Sequence, residues 1–247
     1  MKKVSYGQTG LLVSRLNYGC GLMGRLRYQL TPEQGGDLLR QAFDLGINFW
    51  DTADGYGTHP HVAAALLQVP REQVVVSTKT KAKDRAGAAD DVERFRRELG
   101  VDQLDVVLLH GVMSRDELAA RSGAWEALQD AQTRGLIRAI GLSTHIATGE
   151  IMDALAERPD IQVVLTTCNL DGSKLVGNIE SHRQQIRRLH EQGKAICLMK
   201  VLGQDMLADR AEEAISYAVQ FPYAHSATIG FRDMHQVKFA ASVYENR

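Results

Sequence analysis

Asp51, Tyr56, Lys79 and His110 are the residues of this sequence whose types and positions would do proton chemistry together. Asp51 closes the apolar run in NFWDTA, and Tyr56 follows five residues later in the small-residue stretch ADGYG. Lys79 stands near the end of VVVSTKT, and His110 near the end of LDVVLLHG. A phenol, with an ordinary pKa of about 10, is a weak acid at neutral pH. An ammonium beside it favours the phenolate, so the phenol can pass its proton to a developing alkoxide. A carboxylate next to the lysine would hold that ammonium in place and charged. A neutral histidine across the pocket would donate a hydrogen bond to a carbonyl oxygen and orient it. Singly, each residue also has a structural explanation: Asp51 as a turn former, Lys79 in a solvated KTKAK run, His110 as a hydrogen-bonded strand end. Convergence on one mouth is what favours the chemistry, with Lys81, two residues beyond Lys79, as the rival tuner.

That convergence requires a scaffold that brings strand ends together. Eight short apolar runs recur at roughly thirty-residue intervals: 16–21, 48–53, 74–80, 104–111, 137–144, 163–169, 195–201 and 226–230. They are apolar on both faces, as strands between a core and covering helices must be. Amphipathic stretches lie between them. One begins at Thr31 as N-cap and stops at Gly46; two others, starting at Glu117 and Glu180, end at Gly135 and Gly193. An opening hairpin, VSYGQTGLLVSRL, precedes the first run. No linker or composition shift divides the chain. The pattern predicts an α/β fold: a single (β/α)8 TIM barrel spanning residues 1–247, capped by an N-terminal β-hairpin, with chemistry where strands end.

Composition narrows the function. A net charge of -1, with basic residues scattered, argues against nucleic acid and against an anionic membrane surface. Three cysteines, far apart and odd in number, argue for a reducing compartment. MKKVSYGQTG lacks an apolar leader core, and no run is long enough to span a bilayer, so a cytoplasmic location is expected. The pair of histidines in HPH (59–61) has no third ligand nearby in sequence, and no metal is expected.

GINFWDTADGYG, VVVSTKT, LDVVLLHG, GLIRAIGLSTH and ATIGFRDMHQV, in that order, resemble the aldo-keto reductase superfamily across essentially the whole chain. The resemblance implies a (β/α)8 barrel, an extended NADPH bound without a Rossmann domain, and reversible reduction of a small-molecule aldehyde or ketone. It makes Asp51, Tyr56, Lys79 and His110 a catalytic tetrad, with Tyr56 as proton donor. It also implies cofactor contacts. Ser143 and Thr144 take the places of a Ser-Asn pair that holds the nicotinamide amide, with the asparagine replaced. Cys168 takes the place of a stacking aromatic ring, and Gln162 and Asn169 are expected to supply polar contacts nearby. Gly230, Phe231, Arg232 and Gln236 form the segment for the 2′-phosphate, so NADPH is expected over NADH largely on account of Arg232. Short loops leave the substrate pocket open or completed by a partner chain. Two alternatives stay open at this point: a nucleotide-binding regulatory barrel, and lyase or isomerase chemistry without net redox.

Overall fold

The computed structural model of the protein describes residues 1–24, 27–146 and 149–245. Two short strands, β1 (Lys3–Ser5) and β2 (Leu12–Ser14), form the antiparallel hairpin at the start. Eight parallel strands then close into a barrel: β3 (Leu16–Gly19), β4 (Phe49–Asp51), β5 (Val75–Thr80), β6 (Leu104–Leu109), β7 (Ile137–Thr144), β8 (Val163–Thr167), β9 (Ala195–Met199) and β10 (Ser226–Gly230). The last strand pairs with the first, Ala227 opposite Leu16 and Gly230 opposite Gly19. Every predicted strand is present, several with ragged ends trimmed by one or two residues.

The outer layer consists of α1 (Pro32–Asp44), α2 (His59–Leu66), α3 (Arg85–Leu99), α4 (Arg115–Ala120), α5 (Ser122–Thr133), α6 (Gly149–Glu157), α7 (Ile179–Glu191), α8 (Ala211–Gln220) and α9 (Met234–Glu245). α1 starts as its sequence predicts. Thr31 accepts from the Gln34 backbone N–H while Gln34 reaches back to Thr31, and Pro32 follows the cap. Such a cap contributes about 1 kcal/mol. Gly46 and Gly193, at φ +84° in both cases, end their helices in the left-handed region that glycine tolerates. The stretch 117–135 differs from its expectation. It is not one helix: α4 and α5 meet at Arg121, whose φ of -103° and ψ of 20° interrupt the helical ladder. The interruption turns the Arg121 side chain onto the barrel's strand ends.

Period-two alternation along the strands separates two apolar layers. Outward side chains such as Trp50, Val76, Val107, Leu142 and Val164 pack under the helices. Inward ones such as Phe49, Val75, Val106, Leu108 and Val163 fill the barrel. The hairpin seals the bottom of that inner layer with Tyr6, Leu11 and Val13. Tyr6 meets Phe49 edge-on at 5.2 Å, and the Gln8 backbone N–H donates to the Gly193 carbonyl at 3.1 Å. The opposite end stays open. Among the described residues no helix is long and apolar enough to cross a membrane.

Candidate active site

Three neighbouring strands deliver the ionisable residues to the open end. Asp51 ends β4 and Lys79 lies one residue before the end of β5, both inward-facing and buried. Lys79 Nζ donates to Asp51 Oδ2 at 2.6 Å and to the Thr52 carbonyl at 2.7 Å. Burial pushes the Asp51 carboxyl up, opposed by the Lys79 ammonium. Burial also pulls Lys79 down, but Asp51, with Tyr56, more than reverses this and holds the ammonium above its ordinary value. The proton therefore stays on Lys79, and the pair is ammonium and carboxylate at neutral pH.

Tyr56 sits in a 3-10 turn, Asp54–Tyr56, that ends at Gly57 with φ +68°. This turn swings the half-buried phenol back over the barrel, and Lys79 Nζ lies 5.0 Å from the Tyr56 ring centroid. Arg94 of α3 holds the turn from outside by donating to Asp54 Oδ1 at 2.7 Å. His110, just past β6, faces Tyr56 edge-on with ring centroids 5.8 Å apart. Burial, then the charges of Lys79 and Lys81, draw the His110 imidazole down to about 3, so it is neutral at any working pH. Its Nδ1 is buried with no hydrogen-bond partner among the described residues. Asp51, Tyr56 and His110 thus line one mouth, with Lys79 buried beneath the Tyr56 ring.

The mouth is a cavity of about 580 Å³. Tyr56 and His110 lie on one side, with Leu165, Met199 and Ile229 supplying apolar wall. Gly19, Gly21 and Gly230 also line it, each packed closely against a neighbouring side chain. A Cβ on Gly230 would fall 2.7 Å from Leu22 Cδ1, and one on Gly21 would press the Tyr56 ring at 3.3 Å. Lys200 adds positive charge at the rim, where Arg27 is paired with Asp205 at 2.6 Å.

A model of the "Aldo/keto reductase family" matches residues 15–218. The chain belongs to the aldo/keto reductase family. Among solved structures, PA4992 from Pseudomonas aeruginosa superposes with a TM-score of 0.82 at 25% identity, covering 99% of this chain and 95% of that one. The holo form of aldo-keto reductase AKR11C1 from Bacillus halodurans reaches 0.81 at 20% identity, over 99% and 91% of the two chains, and shows the shared fold. Curated relatives include D-threo-aldose 1-dehydrogenase of a Pseudomonas species, 27% identical over 56% of this chain and 52% of its own length. The NADH-specific methylglyoxal reductase of Escherichia coli is 30% identical over 57% of this chain and 51% of its own. The chain spans about half the length of the curated relatives it matches.

Beyond the four, this aldo/keto reductase barrel sorts the sequence-derived contacts by side-chain phase. Ser143 is buried on the inward face, its Oγ accepts from the Gly111 N–H at 2.9 Å, and among the described residues its hydroxyl donates to none. Thr144 is buried too, but its Oγ1 accepts from the Ile146 N–H, closing the loop after β7. Gln162 does not reach the mouth. It precedes β8 at the closed end, where its Oε1 takes the Ile140 N–H and the Gln132 side chain. Cys168 likewise is not on the mouth wall: it is fully buried under α8, with Sγ 3.6 Å from Tyr217 Oη. Alternation explains both corrections, since in β8 it is Leu165 and Thr167 that point inward. Asn169 folds the following loop, donating to the Ser173 and Lys200 carbonyls and accepting from Gly172.

At the end of β10, Gly230 lines the mouth, and Phe231 beyond it turns outward, 5.1 Å from Tyr18. Arg232 is 63% exposed, pairs with Asp233 at 3.0 Å, and donates its backbone N–H to Gln236 Oε1. His59 and His61 bind separate partners, Glu98 with Thr78 and the Leu30 carbonyl, and so diverge. Sequence reasoning missed Leu165 and His145 as mouth residues. Counting by twos from Ser143 and from Val163 finds both.

Proposed function

We propose that this protein reversibly reduces an aldehyde or ketone to an alcohol, with NADPH as hydride donor and Tyr56 as proton donor. The observation that carries the reading is the buried Lys79–Asp51 pair set 5.0 Å behind the Tyr56 ring, with neutral His110 opposite. The mouth fits a nicotinamide cofactor: its apolar wall of Leu165, Met199 and Ile229 suits a flat ring, and the Lys200 ammonium at its rim suits a pyrophosphate. Ser143, on the inward face with a hydroxyl that donates to none of the described residues, would hold the carboxamide. Lys200 would face the pyrophosphate, and Arg232, at the start of α9, the 2′-phosphate. When bound, the cofactor supplies the hydride that adds to the carbonyl carbon.

The chain's own residues handle the oxygen. His110, neutral through burial, donates a hydrogen bond that fixes the carbonyl oxygen near the phenol. Tyr56 Oη releases its proton to that oxygen as negative charge develops there. The Lys79 ammonium stabilises the phenolate left behind, and Asp51 keeps the ammonium charged and stationary within a 2.6 Å hydrogen bond. In the reverse direction the phenolate accepts the alcohol proton. NADH is the alternative donor, and an NADH-specific enzyme stands among the relatives. The test is a fluorescence titration with NADPH and NADH, then cofactor absorbance followed against a panel of aldehydes. Cofactor binding without consumption by any carbonyl would turn the reading to a regulatory barrel.

A further inference from the structure

A second cavity, of about 410 Å³, adjoins the mouth and shares His110, His145 and Lys81 with it. Its remaining wall is Lys83, Gly111, Met113, Glu117 and Arg121. Through the shared His110, this cavity is within reach of a substrate whose carbonyl meets Tyr56 and His110. The charge of this wall is one-sided. Lys81 and Lys83 follow β5 directly, and among the described residues neither is in an ion pair. Lys81 Nζ stands 4.0 Å from where a Gly55 Cβ would be, beside the turn that carries Tyr56.

Arg121 makes this a built site. Only 4% exposed, it donates through Nε to the Ala82 carbonyl, through Nη2 to Thr80 and through Nη1 to His110. It therefore grips the backbone on both sides of Lys81 and at the histidine, which fixes the two walls relative to each other. Backbone carbonyls satisfy its hydrogen bonds but leave a full positive charge. The only facing carboxylate among the described residues is Glu117, which is 3.9 Å from Arg121 and accepts the Met113 N–H at 2.8 Å. His110 and His145 are neutral, so three cations face one anion.

We infer that this cavity seats an anionic end of the substrate, and that the substrate class is an aldehyde or ketone bearing a carboxylate a few bonds from its carbonyl. The inference rests on the reductase reading for the position of the carbonyl. Met113, 38% exposed, offers apolar contact for the intervening methylenes. A carboxylate suits the site better than a phosphate dianion, because Glu117 shares the wall and repels the second charge.

Two measurements test it. Succinate semialdehyde and butanal differ by the carboxylate, and the ratio of their kcat/KM values should favour the acid. Lys81→Met combined with Lys83→Met should lower that ratio about tenfold, mainly through KM, because partly exposed pairs are individually weak. Raising ionic strength should erode the preference, as it does for solvent-exposed charge pairs. Calorimetric titration with succinate should give binding to the wild-type protein that weakens in the double variant. If succinate binds in this lysine-dependent way but neither aldehyde is consumed, the pocket stands and the reductase reading falls. If both aldehydes are reduced with a ratio that the lysines do not move, or succinate does not bind, the pocket assignment is overturned and the reductase reading stands.

Discussion

Replacing Asp51 by Asn keeps the shape of the side chain and removes its charge, leaving the Lys79 ammonium buried against the Thr52 carbonyl. At 2.6 Å, with an effective dielectric of about 20, the lost attraction is about 6 kcal/mol before solvation is counted. The protein has a way to limit this cost. Lys79 can release its proton, which at pH 7 requires about 5 kcal/mol from an ordinary lysine pKa of about 10.4. The net destabilisation should therefore fall near the 3–5 kcal/mol typical of breaking a buried pair, about 6–10 °C in Tm at roughly 2 °C per kcal/mol for a chain of this size. Lys79→Met strands the carboxylate instead and should cost a similar amount. The double variant, Asp51→Asn with Lys79→Met, removes both charges and should recover at least half of either loss while staying inactive. Urea unfolding at pH 7 measures all four proteins. A double variant less stable than both singles, or an Asp51→Asn protein within about 1 kcal/mol of wild type, would refute the view that this pair is kept for chemistry at the expense of stability.

Tyr56→Phe should lower carbonyl reduction by at least about two decades, the contribution of a positioned general acid, while cofactor affinity stays nearly constant; an unchanged rate excludes Tyr56 as the acid. Arg232→Ala should weaken NADPH binding by about one to two decades, the worth of a charge-assisted hydrogen bond to phosphate, and leave NADH nearly unaffected; equal weakening shows that Arg232 does not read the phosphate. Burial draws His145, His182 and His225 down to about 4 and His110 to about 3. Below about 6.5 the unfolded chain binds protons at these rings that the folded one refuses. Stability held above that pH should then be lost as pH falls toward 4, seen as a urea midpoint that declines steadily from pH 7 to pH 5; a flat midpoint contradicts the assignment.

The barrel was legible because its strands are apolar runs of similar length at a steady interval, and Asp51, Lys79 and His110 were legible as the polar residues that close three of them. Phase was not legible. With Val163, Val164 and Leu165 all buried, one face reads like the other. That is why Gln162 and Cys168 were expected at a mouth that belongs to Leu165. The break at Arg121 was hidden for a different reason. LAARSG contains no proline, and its glycine falls after the interruption, so only tertiary hydrogen bonds to Thr80, Ala82 and His110 reveal where the helix stops. Arg232 and Gln236 were expected at the cofactor from segment similarity alone, and their local partners, Asp233 and the Arg232 backbone, carry no sequence signal.

The seam between β3 and β10 sets an order of assembly. Asp51, Lys79 and His110 come from three consecutive strands, each joined to the next by one helical crossover, so their pairing costs little loop entropy. The dry interior beneath them waits for partners far apart in the sequence, Leu16 with Ala227 and Gln8 with Gly193. Until those meet, the inner apolar layer is open to water from the side and from below. Folding intermediates of this chain should hold a half-barrel in which these ionisable residues are already adjacent but solvated. In such a species Lys79 and Asp51 titrate as ordinary surface groups, and their mutual capture marks the moment the last strand docks.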